Sequence, residues 1–235
     1  MRSLPSPLAA AEVTWRYSSK NKVLDYSGAD RSVVVSLEES APTPVFVGGE
    51  QVSTVRYASG VIGGHAPDSL AGDRRPNRLQ GMDGDDWLRG RGGPDVLDGG
   101  PGRDTLAGGS GADLLTGGSG ADRFLYSSAS ETRGDIITDF SHDQGDVIQF
   151  VFADTLLPAS VQDGFKPDSE HPLPLSFHGT EPGANALWYC VSDDRKDLTL
   201  LGDTDGHVDT QEIQIVLRGV TELQPSDVIF QYGIA

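Results

Sequence analysis

Seven nonapeptides in strict register constrain this chain more than any other feature of its sequence. They run without insertion from Gly63 to Leu125. Glycine opens each one, Asp or Asn stands at position six, and Leu or Phe at position eight. A flexible Gly/Ser-rich linker has no reason to keep this spacing. A repeated GGxGxD period of nine residues predicts a calcium-binding parallel β-roll.

The period itself indicates how such a roll is built. The first six residues of each nonapeptide predict a turn, because glycine adopts positive φ without strain. The last three suffice for a short strand whose middle residue faces the interior. Two nonapeptides then make one coil, so turns eighteen residues apart stack, with Asp86 over Asp104 and Asp95 over Asp113. Carboxylate and carbonyl oxygens are the ligands that Ca²⁺ prefers.

Seven repeats give 7 − 2 = 5 stacked pairs of turns, so about five calcium ions are expected inside the roll. The metal-site residues predicted within the repeats are Asp68, Asn77, Gly81, Asp83, Gly84, Asp86, Gly90, Gly92, Asp95, Gly99, Gly102, Asp104, Gly108, Gly111, Asp113, Gly117, Gly120 and Asp122. Only ten of the 63 residues from Gly63 to Leu125 are Leu, Ile, Val or Phe. Because so small an apolar core cannot offset the entropy of ordering the backbone, we expect the repeats to fold only with calcium.

The first two repeats depart from the pattern. Ala66 and Arg75 stand where glycine is expected, and Asn77 replaces the aspartate. Non-glycine residues resist positive φ, and an arginine adds positive charge beside a cation. Residues 63–80 are therefore either a cap that stacks without metal or a pair of weak calcium sites.

The net charge of −17 argues against nucleic acid and anionic membranes as partners. No apolar run is long enough to span a membrane, and the N-terminal LAAA is too short for a secretory signal. The start of the sequence resembles a cut inside a longer protein. Cys190 is the single cysteine, which excludes an internal disulfide, and its strand-like surroundings predict burial.

The flanks on both sides of the repeats are typical of β-strands. Strands are expected at 32–37, 51–57, 135–140, 146–151, 186–191, 197–201 and 212–217. Residues 38–44 and 47–50 are expected to be loops, residues 163–185 a long Pro/Gly-rich loop, and VFADTLLPASV (151–161) to hold one helical turn. The fold class is therefore all-β: a parallel β-roll of nonapeptide repeats with strands packed at both ends. Its parts are an N-terminal β flank (1–62), the seven-repeat roll (63–125) and a C-terminal β cap (126–235), forming one continuous unit.

The repeats resemble the RTX repeats of proteins exported by Gram-negative type I secretion systems. FLYSSASETRGDIITDFSHDQGDVIQF (124–150) is similar to the segment that follows the roll in serralysin-type metalloproteases. The segments 23–37 and 203–230 resemble the opening strands and the closing hairpin of the same domain. This resemblance implies calcium ligation by the repeat aspartates and by Asp139 and Asp146. Gln149 departs from it, because the family usually carries Asp there.

The chain lacks the motifs of the enzymes that carry such domains. None of the five histidines begins HExxH, and GGSGA (108–112) fails the GxSxG pattern at its last residue. His171 and His178 are expected to be solvated loop residues. Asp203, Asp205 and Asp209 do not fit the spacing of an EF-hand, which leaves a hairpin turn at Asp205-Gly206 or a further metal site.

The sequence therefore predicts a non-catalytic, monomeric, secreted module that folds on meeting extracellular calcium after passing a type I exporter. The resemblance places the uncleaved export signal in the last few dozen residues. The alternative is an extracellular module that binds an anionic polysaccharide or a surface. It would use an outward Trp87, with Trp15 and Trp188 as further candidates, and a set of roll arginines, namely Arg74, Arg75, Arg78, Arg89, Arg91 and Arg103.

Overall fold

The computed structural model describes residues 16–17, 22–38, 41–152, 187–194, 196–202 and 213–232. Its strands in chain order are β1 (Arg16–Tyr17), β2 (Val23–Asp25), β3 (Val33–Ser36), β4 (Thr43–Val47), β5 (Glu50–Val55), β6 (Gly60–Ile62), β7 (Ser69–Ala71), β8 (Arg78–Gln80), β9 (Trp87–Gly92), β10 (Val96–Pro101), β11 (Thr105–Ser110), β12 (Leu114–Ser119), β13 (Arg123–Tyr126), β14 (Asp135–Ile137), β15 (Val147–Phe152), β16 (Leu187–Val191), β17 (Asp197–Gly202), β18 (Ile213–Arg218) and β19 (Val228–Tyr232). Short 3₁₀ helices span Ala129–Thr132, His142–Gln144 and Pro225–Asp227. Within these residues no helix is long and apolar enough to cross a membrane.

The strands form two sheets, and successive repeats alternate between them. One sheet has ten strands in the order β1-β2-β6-β8-β10-β12-β14-β18-β17-β16, and the other has nine in the order β19-β15-β13-β11-β9-β7-β3-β4-β5. All pairs within the roll are parallel and displaced by eighteen residues, as between Leu88 and Leu106. The predicted all-β parallel β-roll with strands at both ends is confirmed.

Position eight of every repeat lies between the two sheets. The side chains of Leu70, Leu79, Leu88, Leu97, Leu106, Leu115 and Phe124 are all 0% exposed. This column continues into the flanks through Val61 and Val35 on one side and Ile137 and Ile148 on the other. The period of nine thus produces one apolar core that runs the length of the molecule.

The strands of the roll are longer than three residues in its middle. β9 to β12 each contain six residues, since the strand continues into the first three residues of the next repeat. The turn is therefore shorter than the six residues expected from the sequence.

Each strand expected in the flanks overlaps one of the structure, whereas some other expectations were wrong. Residues 38–44 and 47–50 were expected to be loops, but β4 begins at Thr43 and ends at Val47, pairing with β3 and β5. Cys190 is exposed rather than buried. Trp188 is 4% exposed and belongs to the core, so it offers no surface for a sugar. The expected loop 163–185, the helical turn and Trp15 lie outside the described residues, except for residues 151–152, which end β15.

Candidate metal centre

The carboxylates at position six form two ladders, one along each edge of the roll. On the first edge, Oδ1 of Asp86 accepts the backbone N–H of Asp68 at 2.7 Å, and Oδ1 of Asp104 accepts that of Asp86 at 2.8 Å. Asp122 continues this ladder by accepting the N–H of Asp104. Each aspartate therefore spans one coil to the residue eighteen positions before it, which is the stacking expected from the sequence.

The second ladder has the same geometry. Oδ1 of Asp95 accepts the N–H of Asn77, and Oδ1 of Asp113 accepts that of Asp95, both at 2.8 Å. The side chains of both ladders are 1–4% exposed. The backbone hydrogen bonds hold each carboxylate in a fixed orientation, with one oxygen used and the other directed into the turn.

The second oxygen of these carboxylates is buried without a hydrogen-bond partner. This is true of Oδ2 of Asp86, Asp95, Asp104, Asp113, Asp122 and Asp135. Buried polar atoms are normally paired, and an unpaired one is costly. Five such atoms at position six of the repeats, and a sixth at Asp135 beyond the repeats, offer buried anionic oxygens that a bound cation would satisfy.

Burial raises the pKa of these carboxyl groups, and neighbouring carboxylates contribute to the same effect. The pKa is raised to about 7 for Asp86, Asp95 and Asp104. It is raised to about 6 for Asp113 and Asp122. Without a cation, the folded roll thus holds its ladder carboxylates in an environment that disfavours their charged form.

A carbonyl oxygen from the next coil lies near the free oxygens of Asp86, Asp95 and Asp104. The point where a Cβ of Gly81 would lie is 2.1 Å from Asp86 Oδ2 and 2.7 Å from the carbonyl oxygen of Gly99. The same pair of oxygens surrounds Gly90, with Asp95 Oδ2 at 2.2 Å and the carbonyl of Gly108 at 2.5 Å. Glycine at position one thus leaves a space that oxygen atoms line. A carboxylate together with backbone carbonyls is a hard oxygen set that fits Ca²⁺.

No three His, Cys, Asp or Glu side chains converge on one point among the described residues. An ion in the roll would therefore take most of its ligands from the backbone. That requirement explains why the turns are rich in glycine as well as aspartate.

The glycine at position four is required by the backbone conformation. Gly84, Gly102, Gly111 and Gly120 have φ between +123° and +152°. A Cβ at Gly102 would lie 1.9 Å from the carbonyl oxygen of Gly84 in the preceding coil. Coils therefore approach each other at these glycines more closely than any side chain allows.

Gly92 does not lie at the position expected from the sequence. The position equivalent to Gly84 and Gly102 is occupied by Gly93, whose φ is +83°. A Cβ at Gly92 would meet no atom closer than 3.7 Å. In the repeat GRGGPD, Gly92 is the third residue and Gly93 the fourth. Because the two glycines are adjacent, the sequence pattern predicted Gly92 instead of Gly93 for the position-four role.

The first two repeats differ from the other five at the ladder oxygens. Asp68 accepts the N–H of Val33 with Oδ1 and that of Gly64 with Oδ2. Asn77 Oδ1 accepts the N–H of Asp73 at 2.7 Å. Neither Ala66 nor Arg75 adopts positive φ.

Asp83, in the third repeat, is exposed, and its Oδ2 contacts His65 Nδ1 at 2.8 Å instead of facing a ladder.

Beyond the repeats, Asp135 is the site residue that sequence reasoning missed. Its Oδ1 accepts the N–H of Asp113 at 2.8 Å, although the two residues are 22 rather than eighteen positions apart. Burial raises its pKa to about 8. DIITDF was interpreted as a strand, but the repeat-like step from Asp113 to Asp135 was hidden by four additional residues.

Asp139 and Asp146 are both engaged by backbone donors. Asp139 accepts the N–H groups of Gly117 and Gly118 with its two oxygens. Asp146 accepts those of Asp122 and Ser141. Both residues therefore close the end of the roll, and in this arrangement neither has an unpaired oxygen. Asp203, Asp205 and Asp209 lie outside the described residues.

Comparison with a known protein family agrees with this geometry. Residues 62–97 and 98–127 match the family model of the RTX calcium-binding nonapeptide repeat, which describes four copies. Two solved structures are similar in part, both from the Azotobacter vinelandii mannuronan C5-epimerase. The AlgE6R3 subunit is 24% identical over 69% of this chain and 77% of its own, with a TM-score of 0.35. The AlgE6R2 subunit is 27% identical over 72% of this chain and 89% of its own, with a TM-score of 0.34. No curated protein matched the chain.

Proposed function

We propose, from the premise that residues 62–127 are RTX calcium-binding repeats, that this chain is a non-catalytic module that couples folding to extracellular calcium. The observation that carries the proposal is the row of buried, unpaired Oδ2 atoms in register along both ladders. A bound calcium ion supplies the positively charged partner that these carboxylate oxygens lack. Because the sites exist only when coils are stacked, the free energy of binding becomes free energy of folding.

The coupling of calcium binding to folding would favour transport of the module out of the cell. The cytosol holds little free calcium, so the repeats stay unfolded there and the chain fits a type I exporter. Outside the cell, calcium at millimolar concentration orders each coil as it emerges and opposes its return. Net charge of −17 keeps the unfolded chain soluble during transit. The module acts as a monomer in this proposal.

The first experiment titrates the calcium-stripped chain with Ca²⁺ while far-UV circular dichroism and tryptophan emission are followed together. A cooperative gain of β signal at or below millimolar calcium is expected, with no such gain in Mg²⁺, which demands a tighter octahedral site. Trp87 lies on β9, so the part of the emission that it contributes reports on the roll, beside that of Trp15 and Trp188 in the flanks. A chain that is fully folded without calcium and unchanged by it would contradict the proposal.

Export is tested separately, in a Gram-negative host with and without a type I exporter. The chain is expected in the medium only when the exporter is present. The matched variant carries Asn at Asp86, Asp104 and Asp122, and it should leave the cell more slowly because its emerging coils bind calcium weakly. Equal export of both proteins would contradict the coupling of export to calcium-dependent folding.

The outer face of the nine-stranded sheet favours a second candidate function, binding of an anionic polysaccharide. Trp87 is 44% exposed there, and the register places Thr105 and then Arg123 beside it on the next two parallel strands. Two strand spacings put Trp87 and Arg123 about 10 Å apart. An indole face that stacks on a sugar, next to a guanidinium that pairs with a carboxylate, suits a polymer of uronic acids.

Retention on immobilised polyuronate in the presence of calcium tests this candidate. Wild-type protein should be retained at low salt, and both W87A and R123Q should elute earlier. Neutral dextran is the control matrix. It has no carboxylates, so only the stacking of Trp87 on a sugar ring could retain the protein on it. Elution in the void volume from both matrices would rule the candidate out.

A further inference from the structure

We infer that the N-terminal cap, defined as residues 22–38 and 41–80, folds without calcium and is the template on which the calcium-dependent coils assemble. This inference rests on the proposed coupling of calcium to folding, and it assigns the coupling to only one part of the chain. Three features of the N-terminal cap support it: satisfied ladder oxygens, built-in cations and an apolar core.

The ladder oxygens of the N-terminal cap need no metal. The two carboxylate oxygens of Asp68 accept backbone N–H groups at 2.6 Å and 2.7 Å. Asn77 is neutral, and its Oδ1 accepts the N–H of Asp73. Among the described residues, the unpaired ladder oxygens begin only at Asp86. The boundary between satisfied and unsatisfied turns therefore falls between the second and third repeats.

Arginine side chains supply positive charge inside these turns. Asp73 is 4% exposed, and its Oδ2 accepts a hydrogen bond from Arg75 Nε at 3.1 Å. Its Oδ1 accepts the backbone N–H of Arg75 at 2.9 Å. The guanidinium thus neutralises the one buried carboxylate that is peculiar to the second repeat.

A second guanidinium reaches the N-terminal cap from β9. Arg91 Nη1 donates to the carbonyl of Gly72 at 2.8 Å and to that of Leu37 at 3.1 Å. In later repeats, the carbonyl of the first glycine faces a carboxylate oxygen that is unpaired. When β9 docks on the N-terminal cap, the Arg91 guanidinium occupies that carbonyl and also reaches Ser36 on β3, so the first coil added is held by a cation that the chain itself supplies.

The N-terminal cap also has a broader apolar core than the middle of the roll, where each repeat adds one fully buried Leu or Phe. Buried side chains come from β2, β3, β4, β6, β7 and β8 and from the turns between them. They are Leu24, Tyr26, Ala29, Val33, Val35, Leu37, Val45, Val47, Ala58, Val61, Leu70 and Leu79. Burial of these side chains removes apolar surface from water, which stabilises the folded state. The N-terminal cap therefore gains stability by ordinary hydrophobic packing, without an ion.

The order of assembly follows from strand pairing. β7 pairs with β3 on one side and β9 on the other, and β8 pairs with β6 and β10. When the later repeats are unfolded, β7 and β8 keep one partner each and offer a free parallel edge. Each calcium-loaded coil can then add to an existing edge rather than form a new nucleus, as in other repeat folds.

Hydrogen exchange of the full chain, in EGTA and in calcium, tests the inference by segment. In EGTA, amides of β7 and β8 should exchange at least about tenfold more slowly than an unfolded chain, while those of β11 and β12 exchange freely. In calcium, all four strands should be protected. Free exchange of β7 and β8 in EGTA would overturn the inference.

Two variants sharpen the test. R75Q leaves Asp73 without its guanidinium and should lower protection of β7 and β8 in EGTA, whereas R74Q removes the same charge from an exposed neighbour and should not. N77D adds a carboxylate to the second repeat, so β8 should become protected only when calcium is present. If N77D behaves like wild type in EGTA, the satisfied ladder is not what makes the N-terminal cap independent.

The outcomes separate this inference from the proposed function. Calcium-dependent protection of the whole chain, the N-terminal cap included, would overturn the inference and leave calcium-coupled folding intact. Full protection of every segment without calcium would overturn both.

Discussion

A carboxylate oxygen that is buried without a hydrogen-bond partner destabilises the fold until a cation reaches it, and this chain repeats that arrangement in successive coils. Asp104 is typical, being 1% exposed with Oδ2 unpaired. D104N keeps the shape and the Oδ1 contact to Asp86 but removes the charge. We expect it to raise the calcium concentration at the folding midpoint about tenfold, as read by circular dichroism.

D85N is the matched control for D104N. Asp85 lies in the stacked turn of the preceding coil, exposed and paired with Arg103, and such surface pairs contribute little. Its calcium midpoint should stay close to that of the wild type. Equal shifts of the calcium midpoint in the two variants would show that the total negative charge of the roll, rather than the ladder position, determines calcium binding.

Gly92 and Gly93 give a residue-scale test of the repeat frame. Ala at Gly93 must adopt φ +83° and would place Cβ 2.9 Å from the backbone carbon of Arg75. A Cβ at Gly92 would make only ordinary contacts, at 3.7 Å or more. In calcium, G93A should lose about 1–2 kcal/mol of unfolding free energy in a urea titration, and G92A should stay within about 0.5 kcal/mol of wild type. A reversed order would show that the frame is shifted.

Single residues were predictable from the sequence wherever the period held. Position eight is buried in all seven repeats, and the position-six aspartates of the last five repeats accept the N–H eighteen residues earlier, because both follow from a fixed coil of eighteen residues. Asp135 was not predictable in this way. The four extra residues between Asp113 and Asp135 form part of a loop with the 3₁₀ helix Ala129–Thr132, and only the folded backbone shows that the ladder resumes after it.

At the scale of elements, local patterns predicted strands but not their lengths. β9 to β12 extend through glycines because pairing with neighbouring coils overrides the low strand propensity of that residue.

The strand β4 was missed because Pro44 and the acidic segment before it favour a loop. Pro44 has no N–H to donate, but it lies beyond the residues of β4 that pair with β3, while Val45 and Val47 on the same strand are buried. Burial of alternate residues in the core, rather than local sequence preference, therefore makes residues 43–47 a strand.

The segment that contains β14 provides an element-scale prediction. Asp135 Oδ2 is buried and unpaired beyond the last matched repeat, so the calcium-dependent region should extend to β14. D135N should lower the number of bound calcium ions by about one, measured by calorimetry against wild type, and reduce the protection of β14 in calcium. D143N, which alters an exposed carboxylate in the neighbouring 3₁₀ helix, is the control. An unchanged ion count in D135N would place the end of the metal sites at Asp122.

At the scale of the whole molecule, two different kinds of interior are joined in one continuous core. The ends contain aromatic and aliphatic clusters, such as Tyr126, Phe150 and Phe230, whose rings stack at 5.3–5.6 Å. The middle has one apolar residue per repeat and depends on its carboxylate ladders. That the middle needs metal to fold is a prediction from composition alone. The independence from calcium that we infer for the N-terminal end could not be predicted, because it rests on contacts such as that of Asp68 with the N–H of Val33, 35 residues away in sequence.

The raised pKa values of the ladder aspartates make the stability of the calcium-free molecule depend on pH. The carboxyl group of an aspartate ordinarily has a pKa of 3.8, and in this fold the pKa is raised to about 6–8, chiefly by burial. The folded state thus binds more protons, so its stability is fully present below about pH 4 and is lost as pH rises through 6–8. In EGTA, the β signal of the chain should therefore increase when the pH is lowered from 8 to 5.

Calcium should abolish that dependence, because bound ions keep the ladder carboxylates charged and satisfied throughout this range. Protons compete with calcium for the same oxygens, so the calcium midpoint should rise as pH falls from 8 to 6. Circular dichroism of matched samples in EGTA and in saturating calcium measures both effects. If acidification in EGTA left the β signal unchanged or reduced it, the buried ladders would not be what holds the calcium-free roll unfolded at neutral pH.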